Sequence, residues 1–159
     1  MTPRLDPSKV SPDAYRAMMG VELFARQSGL EPSLLTLVKL RASYMNGCAY
    51  CVDMHSKEAR LAGETEQRIY AVPLWHETPF YTDRERTAFA YAEAVTALAA
   101  GGVPDDVYDE AAAEFTEREL VALTMAVVAI NSWNRLAITF RTEPGSYRPH
   151  AAAAAAVPA

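Results

Sequence analysis

The residues best suited to chemistry fall within one short run, Asn46-Gly47-Cys48-Ala49-Tyr50-Cys51-Val52-Asp53-Met54-His55. On a helix, positions three and four apart share a face. Cys48, Cys51 and His55 therefore form one stripe, and Glu58 extends it by a further turn. Asn46-Gly47 ends one helix and puts the Cys pair at the start of the next, where unpaired N–H groups and the positive end of the dipole favour thiolate over thiol. A Cys-X-X-Cys pair in that position commonly has one thiol below the free value of about 8.5. A His one turn along can accept or return a proton. Because the thiolate is the nucleophile, the arrangement suits attack on a peroxide or a disulfide. Two other readings compete. A zinc site would need a fourth ligand from His76, His150 or a carboxylate, and it lacks a second Cys-X-X-Cys. In the other reading the cysteines are two small buried residues beside a hydrogen-bonded His.

The elements that must position these groups read as helices. Ser11-Pro12-Asp13 is a helix start, and that helix runs to Ser28 with Met18, Val21, Phe24 and Ala25 on its apolar face. Pro32 opens a second helix, buried through Leu34, Leu35, Leu37, Val38 and Leu40 and ending at Asn46-Gly47. Cys48 starts the third, which Gly63 terminates; a short one follows Thr65 and ends at Pro73. Thr82-Asp83-Arg84-Glu85 and Thr116-Glu117-Arg118-Glu119 both fit the capping-box pattern. The first heads a helix with Phe89, Ala92, Val95, Ala97 and Leu98 that stops at Gly101-Gly102; the second heads a long apolar helix reaching Phe140. A short helix follows Pro104. About seven helical segments and scarce strand signals make the fold all-α. Residues 1–145 form one domain, and 146–159 form an Ala-rich tail with no packing pattern.

Composition sets the outer limits. The chain has 159 residues, half of them hydrophobic, with 20 acidic and 15 basic side chains and a net charge of -5. That suits a single globular domain and argues against a nucleic-acid partner. The apolar run Leu120–Asn134 falls short of the roughly 20 residues of a membrane span and reads as a core helix. The N-terminal residues lack an apolar stretch like that of a signal peptide, so the expected compartment is the cytoplasm. Two cysteines there point to redox or metal chemistry rather than a structural staple. With no dinucleotide or P-loop glycine pattern, no cofactor is expected.

The run from Leu34 to His55 resembles the carboxymuconolactone decarboxylase superfamily, and within it the AhpD-like alkylhydroperoxidase branch. The similarity continues through Ala62-Gly63-Glu64-Thr65, Trp75-His76 and Tyr81–Arg86, and ends in Ile130-Asn131-Ser132-Trp133-Asn134-Arg135. The resemblance implies an antiparallel helical bundle that assembles into homo-oligomers, as trimers or hexamers, and a thiol-dependent peroxidase. It makes Cys51 the peroxidatic thiolate, Cys48 the resolving thiol and His55 part of the proton relay. An external dithiol, in the family's best-known member a lipoylated protein, would reset the pair. A lactone decarboxylase, or a zinc-stabilised or redox-sensing interaction protein, are the alternatives.

Two positions depart from the family pattern. The family relay has a Glu twelve positions before the first Cys, where this chain has Thr36, and the position between the cysteines, which can be His, is Tyr50. A hydroxyl passes a hydrogen bond but is no base near neutral pH, so weaker activity or a different relay is expected, with Glu58 as a substitute. Trp133 and Asn131 are candidates for the pocket wall or a subunit interface, and Asn134 and Arg135 beside them need polar partners. Arg41 and Ser43 raise the same question. Tyr44 and Met45 read as packing residues, and His76 as an ordinary loop His. A Thr36→Glu variant tests the departure: an unchanged peroxidase rate shows that the missing carboxylate does not limit turnover.

Overall fold

In the computed structural model, which describes residues 2–98 and 100–149, the chain is a bundle of α-helices. They are α1 (Pro7–Val10), α2 (Pro12–Arg26), α3 (Pro32–Met45), α4 (Ala49–Leu61), α5 (Glu66–Ala71), α6 (Asp83–Ala97), α7 (Asp105–Glu114) and α8 (Glu117–Phe140), with a 3-10 segment, Val72–Glu77, after α5. No strand occurs among the described residues. The all-α expectation holds, with one additional helix, α1. Asp6 caps it by accepting from the Ser8 N–H.

Helices α3 and α8 form the centre. Leu34, Leu35 and Val38 of α3 and Leu123, Ala126 and Val127 of α8 share a cluster with Ala25 of α2, Ala88 and Ala92 of α6, and Phe115. On the other side of α3, Leu37 and Leu40 pack with Ile69, Val72, Trp75, Tyr81 and Phe89. Buried on nearly all sides, α3 leaves room for polar atoms only where partners exist. Lys39 is buried and reaches Glu22 of α2; Ser43 is buried and donates to the Lys39 carbonyl. The apolar face of α8 is Leu120, Ala122, Leu123, Ala126, Val127, Ala129 and Ile130, as its sequence indicates, while Val121 and Val128 point outward.

Three details differ from the sequence reading. The buried side of α2 is Glu22 and Ala25, while Phe24 is half-exposed. Leu23 beside it is also about half-exposed, so neither side chain is covered within the chain. Helix α6 ends at Ala97, before the glycine pair, with Leu98 in the left-handed region and largely exposed. Met45 is also exposed rather than packed.

Both capping boxes are formed as the sequence indicates. Thr82 accepts from Glu85 N and Glu85 reaches back to Thr82 N; Thr116 and Glu119 do the same. Each satisfies two N–H groups that would otherwise be orphaned. Arg84 bridges the start of α6 to Glu31 and Glu119. Thr82→Ala and Thr116→Ala are each expected to cost about 1 kcal/mol, read in thermal denaturation as a melting temperature lower by roughly 3 °C.

Candidate active site

The Cys pair sits where the chain reverses between α3 and α4. Gly47 takes a positive φ of 67°, a conformation that suits glycine. The Cys48 N–H returns to the Ser43 carbonyl at 3.0 Å. A buried amide network holds this turn. Asn46 Nδ2 donates to Asn131 Oδ1 at 2.9 Å and to Asn134 Oδ1 at 2.8 Å, and Asn134 Nδ2 donates to Ser43 Oγ at 3.1 Å. The partners that Asn131 and Asn134 need on α8 are thus the end of α3 and its turn. Arg135 donates to the Asn131 carbonyl, and Arg41 pairs with Glu93.

Cys48 is the N-cap of α4, with its sulfur facing the Cys51 N–H at 3.4 Å. The two cysteines are joined as a disulfide with Cα atoms 5.4 Å apart. Both are almost fully buried, in a cluster with Ala42 and Ile130 and beside Trp133 and Ala137. They are not equivalent. Cys51 lines a cavity of about 670 Å³, and Cys48 is not among its lining residues. Tyr15, Met19, Tyr50, Met54, Trp133 and Leu136 supply much of the apolar wall. Tyr15 and Trp133 meet edge to face with centroids 5.2 Å apart.

His55, also in the cavity wall, is buried. Its Nδ1 lies 2.9 Å from Glu58 Oε2. Burial pushes the imidazole below its usual value, against the pull of Glu58. Burial alone would raise Glu58, but hydrogen bonds from His55 and Tyr147, with the charges of His55 and Arg26, hold it at about 2. An ionised carboxylate only accepts, so Nδ1 carries the ring proton and donates it. Nε2 is left as a bare acceptor, and it is buried with no hydrogen-bond partner. A buried base without a partner, on a side chain that lines the same cavity as Cys51, can take a proton from a thiol or a bound molecule.

The sequence reading put Cys48, Cys51, His55 and Glu58 together, and the structure does so. Trp133 joins Cys51, His55 and Glu58 in the cavity wall. Thr36 does not: its hydroxyl donates to the Pro32 carbonyl one turn back, at 2.9 Å, and it is absent from the cavity lining. Asn131 also lies outside, bound to Asn46, Thr96 and the Val127 carbonyl. It supports the turn rather than the wall. His76 stacks on Trp75 and lies 3.7 Å from Glu93, and it is absent from the cavity lining, so it supplies no ligand beside the Cys pair. Among the described residues no three-residue group of His, Cys, Asp and Glu is arranged to hold a metal. His150 lies outside the described residues.

Sequence reasoning missed three contributors. Glu22 lines the cavity and is buried, paired with Lys39 at 2.5 Å and Arg26 at 2.8 Å. Burial opposes its ionisation, but the charge and hydrogen bond of Lys39, with Arg26, hold its pKa down. The available signal was a carboxylate on the buried stripe of α2, between Met18 and Ala25, and a lysine inside the apolar run of α3. The second contributor is Tyr147, from the stretch assigned to the tail, whose hydroxyl donates to Glu58 Oε1 at 2.8 Å. The third is the N-terminal segment. Pro3 to Ser8 wall one side of the cavity, anchored by the Arg4 N–H on the Phe140 carbonyl at 3.0 Å.

The sequence profile of the carboxymuconolactone decarboxylase family matches residues 12–94. The chain belongs to that family. The YdfG protein of Bacillus subtilis strain 168, which is uncharacterised, is 37% identical over 92% of this chain and 99% of its own length. A solved structure from Agrobacterium tumefaciens, a protein of unknown function assigned only provisionally to antioxidant defence as an AhpD protein, superposes with a TM-score of 0.88. It is 44% identical and is covered over 92% of this chain and 100% of its own. The debrominase Bmp8 shares the fold at a TM-score of 0.78, with 20% identity over 87% of this chain and 74% of its own. Within the superfamily, the chain falls in the AhpD-like branch.

Acid should unfold this site for a definite reason. Unfolded, His55 and Glu58 take up protons near 6.5 and 4.5; folded, both titrate lower. The unfolded state then binds more protons in acid, so the stabilisation is complete above about 6.5 and is lost as pH falls toward Glu58's folded value. The urea midpoint is expected to drop steadily from about pH 7 to about pH 3, with a smaller drop below 4.5 in Glu58→Gln.

Proposed function

We propose that this protein is a thiol-dependent peroxidase that reduces organic hydroperoxides with the Cys48–Cys51 pair. The observation that carries the reading is the placement of Cys51 and His55, whose Nε2 has no partner, in the wall of one cavity, with Cys48 bonded to Cys51. In the reduced enzyme, His55 Nε2 takes the Cys51 thiol proton. The thiolate attacks the terminal peroxide oxygen, the O–O bond breaks, and the leaving alkoxide takes the proton from His55 to depart as an alcohol. Cys51 is then a sulfenic acid. Cys48 attacks its sulfur, the S–O bond breaks, and water leaves with the Cys48 proton, forming the disulfide. An external dithiol, such as that of a lipoylated protein, returns two electrons and two protons by exchange.

The cavity volume and its aromatic and methionine walls favour a bulky organic hydroperoxide over hydrogen peroxide, since apolar surface buried by the substrate adds to binding. A lactone decarboxylation would leave the Cys pair without a role. The uncovered apolar side chains Leu23 and Phe24 of α2 and Val121 and Val128 of α8 support assembly with further copies of the chain, and we place the enzyme in the cytoplasm.

Fully reduced protein should lose both free thiols within seconds of adding one equivalent of cumene hydroperoxide, and regain them with a dithiol. Two thiols still free after minutes would sink the reading. Cys51→Ser should consume no peroxide. Cys48→Ser should consume one equivalent and stop at a sulfenic acid that a carbon nucleophile such as dimedone traps. His55→Gln should slow peroxide consumption by roughly 10²-fold or more.

A further inference from the structure

The segment that follows α8 does more than end the chain. Arg141 takes a left-handed conformation with φ of 56°, and the Thr142 N–H returns to the Ala137 carbonyl at 2.9 Å. The backbone then crosses α4. The Gly145 N–H donates to Asp53 Oδ2 at 3.0 Å, and Lys57 Nζ donates to Asp53 at 2.7 Å and to the Tyr147 carbonyl at 3.2 Å. These bonds hold residues 145 and 147 against one side of α4, the helix that carries Cys51, His55 and Glu58. At the end of this strap the Tyr147 hydroxyl donates to Glu58 Oε1, while the other carboxylate oxygen accepts the hydrogen bond from His55 Nδ1. Tyr147 also lines the cavity. It lies outside the stretch matched by the family profile.

We propose that Tyr147 is a positioning residue: it holds Glu58 in the orientation that keeps the His55 proton on Nδ1 and leaves Nε2 as the base in the cavity. The inference rests on the reading of His55 as the proton acceptor. Glu58 has a competing partner, Arg26, whose guanidinium lies 3.9 Å from the same Oε1 that Tyr147 occupies. With the hydroxyl in place, one oxygen is held by Tyr147 and the other by His55. Without it, the carboxylate can turn toward Arg26 and away from the imidazole. A ring that loses its acceptor at Nδ1 is free to carry its proton on either nitrogen, and the Nε2–H form cannot act as base. The charged groups acting on His55 are Glu58 from its own helix, Lys39 from α3 and Glu22 from α2, with Arg26 of α2 beside Glu58. Glu22 is already taken up by Lys39 and Arg26. Glu58 is the one carboxylate among them bonded to the ring.

Tyr147→Phe removes the hydroxyl and keeps the ring, so the fold is retained and the bond alone is tested. The direct measurement is ¹⁵N NMR of the imidazole nitrogens of full-length protein near neutral pH, with His55→Gln assigning the signal among the three histidines. Wild type is expected to show His55 protonated at Nδ1 and bare at Nε2, and Tyr147→Phe a mixture of the two tautomers. Peroxide reduction in Tyr147→Phe is expected to lose roughly tenfold or more in kcat with KM unchanged. An unchanged tautomer in Tyr147→Phe overturns the proposal whatever the activity does, and so does a wild-type ring already protonated at Nε2. A wild-type protein that fails to consume hydroperoxide, yet shows the tautomer change in the variant, defeats the peroxidase reading and leaves the positioning role standing. The tautomer is what separates the two, because general loosening of the strap would lower the melting temperature without moving a proton between ring nitrogens.

Discussion

A single buried amide, Asn134, holds the chain reversal on which the site depends. Fully enclosed on α8, it joins Asn46 and Ser43, which lead into the left-handed turn at Gly47. A buried amide without partners would cost about 1–3 kcal/mol, and Asn46 and Ser43 are the partners that spare Asn134 that cost. With those bonds made, α4 must begin at Cys48. From that start the remaining geometry follows from helix pitch: Cys51 one turn on, His55 one turn beyond it, and Glu58 within reach of the imidazole.

The second constraint is electrical. Glu22, Lys39 and His55 are buried and Glu58 is mostly shielded, all near a disulfide that becomes two thiols on reduction. Charges in such surroundings interact strongly and are costly when unpaired. The carboxylates of Glu22 and Glu58 are matched by the cations of Lys39 and Arg26, so the imidazole can gain a proton as the thiol loses one without changing the net charge of the site. The opposing pulls on His55, burial against Glu58, keep it neutral and therefore available as a base.

Thr36, which stands where the sequence resemblance implies a carboxylate, is bonded to its own helix and is absent from the cavity lining. The carboxylates that reach the cavity come from elsewhere: Glu58 from the helix of the Cys pair, and Glu22 from α2. The chain thus has a carboxylate–imidazole pair on the helix of the cysteines, with Glu58 as its carboxylate. The residue that orients it, Tyr147, comes from a strap that only the completed bundle can place.

What local sequence determined was whatever depends on neighbours within a few residues. Pro at helix starts, the two capping boxes and the apolar spacing of α3 and α8 set the helical class. The spacing of Cys48, Cys51, His55 and Glu58 set one face of α4, because helix geometry alone brings such residues together. Tertiary packing decided the rest. A carboxylate on the buried side of α2 and a lysine inside α3 look like interruptions in apolar faces until the helices meet and each becomes the other's partner. Cys51 rather than Cys48 lines the cavity, a difference between two equally buried sulfurs that the packed helices decide and the motif does not show. Tyr147 reads as part of a featureless tail because its partner is 89 residues away in the chain. Contacts at that separation leave no local period, and only the folded chain brings them to one carboxylate.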